Sequence, residues 1–298
     1  MKVVSHPGTA EFWQMAGGLF TADPVRNTVA ITVLSRLLAG SGFSDQPPIL
    51  LTVHDTDETG ELVGAALCTP PFPISVTALP TRAAASVVEY LVEQGVDVRG
   101  VTGMRAESEA FAAAWGDRTG VVEARHMDQR LYRLDTLVPP ADVPGGATVG
   151  GEADIELLTD WRIAFTQDAD MPDGRWTREG IKAQVEYTIT AGNGQLVWRV
   201  DGEPVAHAAV GLPRSGMSRI GPVYTPREHR KHGYGSAVTA AAAQWAIDRG
   251  ADHVVLFTDL ANPTSNSIYQ HVGFVPVADA LDVTFAPPTT TDSSSTVG

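Results

Sequence analysis

Ile220-Gly221-Pro222-Val223-Tyr224-Thr225-Pro226-Arg227-Glu228-His229-Arg230-Lys231-His232-Gly233-Tyr234-Gly235 is the stretch on which the reading of the fold turns. An apolar strand pattern, Ile220 to Tyr224, runs into a basic turn and then into an alanine-rich helix expected from about Gly233 to Arg249. Glycines at alternate positions let backbone N–H groups converge with no Cβ in the way. The helix opening there directs its unsatisfied donors and positive dipole end at the same point. Arg227, Arg230 and Lys231, with His229 and His232, add cationic groups just before it. Such a turn reads as a cradle for a pyrophosphate. The chain carries a net charge of −14, but close charges outweigh distant, screened ones.

Elimination narrows the phosphate ligand. Gly233-Tyr234-Gly235-Ser236-Ala237-Val238 begins like a dinucleotide-binding turn, yet Val238 stands where the last small residue belongs and the turn lies deep in its domain. No G-x-x-x-x-G-K-[ST] occurs, which excludes a nucleotide-hydrolysing P-loop. Arg230-x-x-Gly233-x-Gly235 after a strand ending in Val223-Tyr224-Thr225 instead resembles the acyl-CoA-binding motif of the GNAT N-acetyltransferase superfamily. Downstream, the expected strand His253 to Thr258 leads to Asp259 and then Asn262, Ser265, Tyr269, Gly273 and Phe274, which fill the places of that family's second signature. The two motifs in order make a joint signal that neither carries alone. The resemblance covers roughly residues 150 to 285, closest to the glycine N-acyltransferase-like branch.

The resemblance implies an α/β fold with a mixed sheet, and acetyl-CoA, or another acyl-CoA, as cosubstrate without a metal. It implies cosubstrate contacts from Val223, Tyr224 and Thr225 on the strand before the cradle. It implies further contacts from Arg230, Lys231, His232, Gly233, Tyr234, Gly235 and Ser236 in the cradle, and from Asn262 and Ser265 beyond it. Tyr269 matches the family tyrosine whose hydroxyl reaches the CoA sulfur as general acid; packing as a core aromatic is its other reading. Asn262 followed by Pro263 also has the form of a helix N-cap that shapes the loop.

The base is not evident. Many family members place a Glu on the fourth strand, but Arg219 to Thr225 contains no carboxylate. His207 is the candidate whose ordinary pKa lies nearest neutrality, although a strand histidine also fits simple packing. Asp259 could abstract a proton or cap a turn, and a water chain could serve instead. Asp168, Asp170 and Asp173 form an acidic cluster that would attract a cationic amine or merely be a solvated turn.

Composition sets the frame. With 298 residues, 43% hydrophobic and 19% charged, the chain is expected to bury a core and to form two domains of ordinary size. The acidic excess disfavours nucleic acid as a partner. Cys68 is the only cysteine, which excludes an intramolecular disulfide and a cysteine-rich zinc site. No apolar run reaches the roughly 18 residues of a membrane span and no signal core opens the chain, so a cytoplasmic protein without a membrane partner is expected, as a monomer or homodimer.

Pro/Gly-rich residues 139–149 read as a linker between residues 1–138 and 150–286, with 287–298 a low-complexity tail. The second part is expected to run strand (Asp154 to Leu158), helix, acidic loop, helix and three strands before the cradle. The first part repeats that order, but Leu79-Pro80-Thr81-Arg82-Ala83-Ala84-Ala85 stands where the cradle should be and lacks both glycines. A tandem repeat of one fold follows, its N-terminal copy degenerate for CoA and its C-terminal copy catalytic. The reaction expected is direct acyl transfer to a primary amine of a small molecule. An acyl-CoA-binding sensor and an enzyme acting on a protein amine are the alternatives.

Overall fold

The computed structural model describes residues 1–42, 46–57, 60–169 and 177–286. In chain order the elements are β1 (Lys2–Ser5), α1 (Thr9–Thr21), α2 (Thr28–Leu38), β2 (Ile49–His54), β3 (Leu62–Cys68), β4 (Ile74–Ala78), α3 (Ala84–Glu93), β5 (Gly100–Met104), α4 (Arg105–Thr119) and β6 (Glu123–Leu134). They continue with β7 (Gly146–Val149), α5 (Ile155–Asp168), α6 (Arg178–Thr190), β8 (Gly194–Val200), β9 (Glu203–Val210), β10 (Met217–Tyr224), α7 (Tyr234–Ile247), β11 (His253–Asp259), α8 (Pro263–Val272) and β12 (Phe274–Phe285).

Two compact units emerge, and neither is continuous in sequence. Unit one combines Met1–Ala22, Arg36–Asp128 and the chain from Ala280; unit two combines Asp23–Ser35 with Gln129–Asp279. Both carry the same strand plan. In unit one β1-β2-β3-β4 are antiparallel neighbours, β4 lies parallel to β5, and β12 closes antiparallel on β5 with Thr284 opposite Gly100. In unit two β7-β8-β9-β10 are antiparallel, β10 lies parallel to β11, and β6 closes antiparallel on β11 with Arg133 opposite Val255. The repeat is therefore real, and its closing strands are exchanged: the end of the chain completes the first copy, and a strand from the first half completes the second.

This packing divides the chain differently from the boundary expected at residues 138 and 150. A Pro/Gly-rich connection marks where the chain turns, not which sheet its flanking strands join. The core of unit one joins β-strand residues such as Leu51 and Val76 to Val88, Phe111 and Trp115 of its helices. In unit two Ala206, Ala208, Val210 and Ile220 pack beneath Val238, Ala242 and Trp245 of α7 and Tyr269 of α8. Its opposite face holds Leu158, Val185 and Val197, where α5 and α6 lie.

Three local expectations change. Asp154 to Leu158, expected as a strand, opens α5: Gly151 N–H bonds Asp154 Oδ2 at 3.1 Å and Asp154 N–H bonds Gly151 O at 2.9 Å, turning the chain into the helix. Four residues of alternating polarity, Asp154 to Leu157, fit either period. The missing strand is β7, inside the expected linker, an exposed edge strand without an apolar signal. β1, another short strand, was not anticipated. Finally, Asp23 followed by Pro24 has the sequence form of a helix N-cap, yet α2 begins at Thr28; Asp23 Oδ1 still accepts Arg26 N–H at 3.0 Å, capping the turn ahead of it. The tail at 287–298 and residues Asp170 and Asp173 lie outside the described residues.

Candidate active site

The site begins where two parallel strands part. The β10–β11 register runs from Met217 opposite His253 to Ile220 opposite Leu256 and, among the described residues, ends there. β11 continues to Asp259 while paired to β6 on its other side, and β10 continues to Tyr224 while paired to β9. A bulge between Ile220 and Val223 turns β10, because Gly221 adopts φ +149, open to glycine alone, and Pro222 has no N–H to give to a neighbour. Among the described residues Val223 and Tyr224 then pair with Ala208 and His207 only, leaving one side of this strand end open. Tyr224 sits 6.1 Å from Trp161, ring to ring; burial, with Asp168 second, pushes its hydroxyl pKa upward.

Thr225 and a short turn over Arg227–His229 lead into the cradle. Lys231 (φ +68) and Gly233 (φ +82) take left-handed backbone, the conformation from which anion-binding nests of backbone N–H groups are built. A Cβ on Gly233 would lie 3.0 Å from Val143 Cγ2. The first helical bond of α7 is Ala237 N–H to Gly233 O at 3.0 Å, so the N–H groups of Tyr234, Gly235 and Ser236 lie ahead of the helical ladder. Tyr234 is nearly buried, and its ring stacks on His232 at 5.5 Å. Arg230 Nε donates to Thr225 O at 2.9 Å and Arg227 donates to Asp168 Oδ1 at 2.7 Å. Arg230 also bonds Asp168 Oδ2. Arg227, then Arg230, holds the Asp168 carboxyl below its usual range. Asp168 thus braces the turn rather than waiting as a free carboxylate for a cationic amine.

Beyond β11, Asn262 Oδ1 accepts Ser265 N–H at 3.0 Å with Pro263 at the first helical turn, the capping role anticipated for it. Asp259 Oδ1 accepts Ala261 N–H at 2.7 Å and so caps a turn. Tyr269 is 8% exposed, edge-on to Phe274 with centroids 6.3 Å apart, and its hydroxyl takes no hydrogen bond among the described residues. Burial pushes its pKa up to about 12. It is therefore both a core aromatic and a protonated hydroxyl without a protein partner.

His207 is placed differently from what a base requires. It is 5% exposed, and its Nε2 lies 2.8 Å from Gln195 Oε1. Gln195 Nε2 donates to Thr188 Oγ1 at 3.1 Å, so Oε1 must accept and His207 Nε2 carries the proton. Burial, with the Arg162 charge adding to it, pushes its pKa down to about 3. A neutral, packed histidine results, and the catalytic reading of His207 finds no support in this geometry.

Two features were missed in the sequence. Asn266 Nδ2 bonds Asp259 O at 3.0 Å and Asn262 O at 2.8 Å, while Oδ1 accepts from Tyr132 at 3.1 Å, so a strand of the first half fixes the loop before Tyr269. The other is a pair of half-buried arginines, Arg162 on α5 and Arg219 on β10. Burial pushes both guanidinium pKa values down to about 10, and the Arg219 charge adds to the effect on Arg162. Neither pattern nor spacing marks such residues, because a sequence does not show that they have no counter-charge among the described residues.

A surface cavity of about 390 Å³ lies in unit one, lined by Glu109, Asp117, Glu123 and Phe285 among others. Its carboxylates would repel a phosphate, and it contains none of the cradle residues. Among the described residues no cluster of His, Cys, Asp or Glu could hold a metal ion, and no helix is long and apolar enough to cross a membrane.

Residues 156–274 match the acetyltransferase (GNAT) family. The chain is 33% identical over 180 residues to a mycothiol acetyltransferase of Salinispora arenicola, covering 55% of this chain and 56% of that protein. It is 27% identical over 228 residues to a mycothiol acetyltransferase of Pseudarthrobacter chlorophenolicus, covering 72% and 69%. These matches thus span about half to two-thirds of the curated relatives. In structure it is similar to a tandem GNAT protein from the clavulanic acid biosynthesis pathway, with a TM-score of 0.56, 14% identity and coverage of 97% of this chain and 99% of that one.

Proposed function

We propose, from the match of residues 156–274 to the acetyltransferase (GNAT) family and the likeness of the fold to a tandem GNAT protein, that the protein transfers an acetyl group from acetyl-CoA directly to a primary amine of a small molecule. One observation carries the reading: the parting of β10 and β11 after Ile220 and Leu256 opens directly ahead of a helix whose first three N–H groups precede its ladder. The residues present fit acetyl-CoA. The N–H groups of Tyr234, Gly235 and Ser236 with Arg230, Lys231 and His232 would hold the pyrophosphate, where Gly235 leaves space. The open strand end at Val223, Tyr224 and Thr225 would take the pantetheine arm as an added strand takes a sheet edge. Asn262 and Ser265 would shape the loop beside it.

In the transfer the amine nitrogen bonds to the acetyl carbon, the carbon–sulfur bond breaks, and the sulfur leaves with the electron pair. Tyr269 would supply a proton to that thiolate. Its raised pKa keeps it protonated at any working pH. A donor so weak, set against a thiol of ordinary pKa near 8.5, first stabilises the developing thiolate by hydrogen bonding. With His207 neutral and tied to Gln195, the amine's surplus proton would leave through water, and water would return a proton to the Tyr269 oxygen, which restores the enzyme.

The test is acetyl-CoA thiol release with a panel of amines, including the acceptor of mycothiol acetyltransferases and competing peptides, together with calorimetric titration of CoA. Absence of carboxylate from Arg219 to Thr225 favours a second reading, an acyl-CoA-binding sensor. CoA binding without turnover for any amine would select it.

A further inference from the structure

Arg219 stands one residue before the register of β10 and β11 ends, with its carbonyl fixed by Gly211 N–H at 3.0 Å. It lies at the root of the opening between the strands. Its neighbour Ile220 packs into the core under α7, so strand alternation turns Arg219 to the opposite sheet face. That is the face where α5 packs across β10 and carries Arg162. The charge of Arg219 is felt at Arg162, and that of Arg162 at His207. Two guanidinium groups and a neutral imidazole thus share one side of the strand opening.

Like Arg133, Arg214 and Arg249 they have no counter-charge among the described residues, but these two flank the strand opening together. In unit two Arg227 and Arg230 meet Asp168, Arg199 meets Asp154, Arg178 meets Asp160 and Glu156, and Arg130 meets Asp279. Arg162 and Arg219 have no carboxylate among the described residues. The chain has 35 acidic residues against 21 basic ones, so carboxylates are not scarce in it. Withdrawing two like charges from water without a partner is costly. An arriving anion would relieve that cost, and the guanidinium fork matches a carboxylate with two parallel hydrogen bonds. Since the cradle's own cations already serve the phosphate end, this second cationic site faces the other substrate.

We propose that Arg162 and Arg219 form an anion subsite that binds a carboxylate carried by the amine acceptor, making the acceptor an amino acid. The assignment deepens the acetyltransferase reading and rests on it. The α5 side of the opening is where such a substrate would enter, because α7 fills the other face.

The test uses the full chain, acetyl-CoA and matched acceptors: L-phenylalanine against its amide and phenethylamine, glycine against glycinamide, and O-phosphoethanolamine. The carboxylate members should show a KM lower by about 10- to 100-fold, the worth of a charged hydrogen bond. Arg219→Met and Arg162→Met should abolish that preference while leaving KM for acetyl-CoA and for the amides unchanged, and Arg219→Lys should restore part of it. Retained CoA binding by calorimetry certifies that each variant is folded. Binding of N-acetyl-L-phenylalanine, but not its amide, to the CoA-loaded protein reads the subsite without turnover. Turnover with no carboxylate preference overturns the subsite and leaves the acetyltransferase reading standing. Carboxylate binding that Arg219→Met removes, with no amine ever acetylated, supports the subsite and sinks the transfer reading. A preference for O-phosphoethanolamine overturns the carboxylate assignment, as does the absence of both turnover and binding.

Discussion

Arg227 donates a hydrogen bond to Asp168 at 2.7 Å, tying the C-terminal end of α5 to the turn that leads into α7. The carboxyl pKa is lowered by Arg227 and then by Arg230. The tie therefore stabilises the folded state above the ordinary carboxylate pKa and is lost as pH falls through the lowered folded value. Asp168→Asn should reduce the urea midpoint at about pH 7, and the gap to wild type should close below about pH 4. The effect is modest because the arginines are solvent-screened. A gap that persists undiminished in acid would mean that Asp168 acts through packing instead.

Gly235 presents its bare backbone beside Thr225, where a Cβ would meet Oγ1 at 3.4 Å, an ordinary contact. Gly235→Val should therefore fold, yet its branched methyls would occupy the phosphate cradle. CoA affinity should fall at least about tenfold, roughly one lost charged hydrogen bond, with little change in melting temperature. Calorimetric titration of both proteins decides it, and unchanged affinity would move the phosphate site elsewhere.

Tyr269→Phe should lower kcat by about 10²-fold while CoA affinity stays intact, since a proton donor to the leaving thiolate acts in the transition state. The pKa near 12 adds a sign: deprotonation of Tyr269 cannot produce a basic limb near neutral pH. A wild-type rate that declines above about pH 8 and loses that decline in Tyr269→Phe would contradict the raised value.

The turn at Lys231 to Gly233 and the helix beyond it were legible in the sequence because glycine spacing, basic residues and an alanine run are local signals. Asn262 was legible as a cap for the same reason. The exchange of β6 and β12 was not, because strand pairing is decided between residues such as Arg133 and Val255, far apart in the chain. His207 looked like a base by its ordinary pKa, and only the neighbouring Gln195 and the burial of the ring remove that role. Arg162 and Arg219 were silent: a sequence shows charges, not the partners they lack.

Gly273 ends α8 at φ +104, and a Cβ there would sit 1.8 Å from Thr136 O. The chain before β7 runs against this turn, with Asp135 N–H on Gly273 O at 3.0 Å and Val138 N–H on Val272 O at 2.9 Å. Gly273→Ala should cost at least about 2 kcal/mol, from a forced backbone shift added to positive-φ strain. A thermal melt within a degree of wild type would show that the segment before β7 yields freely.

The exchanged strands make the last prediction. β6 supplies Tyr132, 1% exposed in the core of unit two, and its register on β11 runs from Arg133 opposite Val255 to Gln129 opposite Asp259. Arg130 also pairs with Asp279 at 2.7 Å. A fragment of residues 146–298 contains the entire cradle yet lacks β6, so it would bare one edge of β11 and leave a Tyr-sized void. An unpaired inner strand edge templates aggregation, and losing a large buried aromatic alone costs about 3–5 kcal/mol. That fragment should aggregate or unfold without cooperativity and fail to bind CoA, while a fragment beginning near residue 121 should be the more soluble of the two. Cooperative unfolding and full CoA affinity in the shorter fragment would show that β6 is dispensable to the second copy.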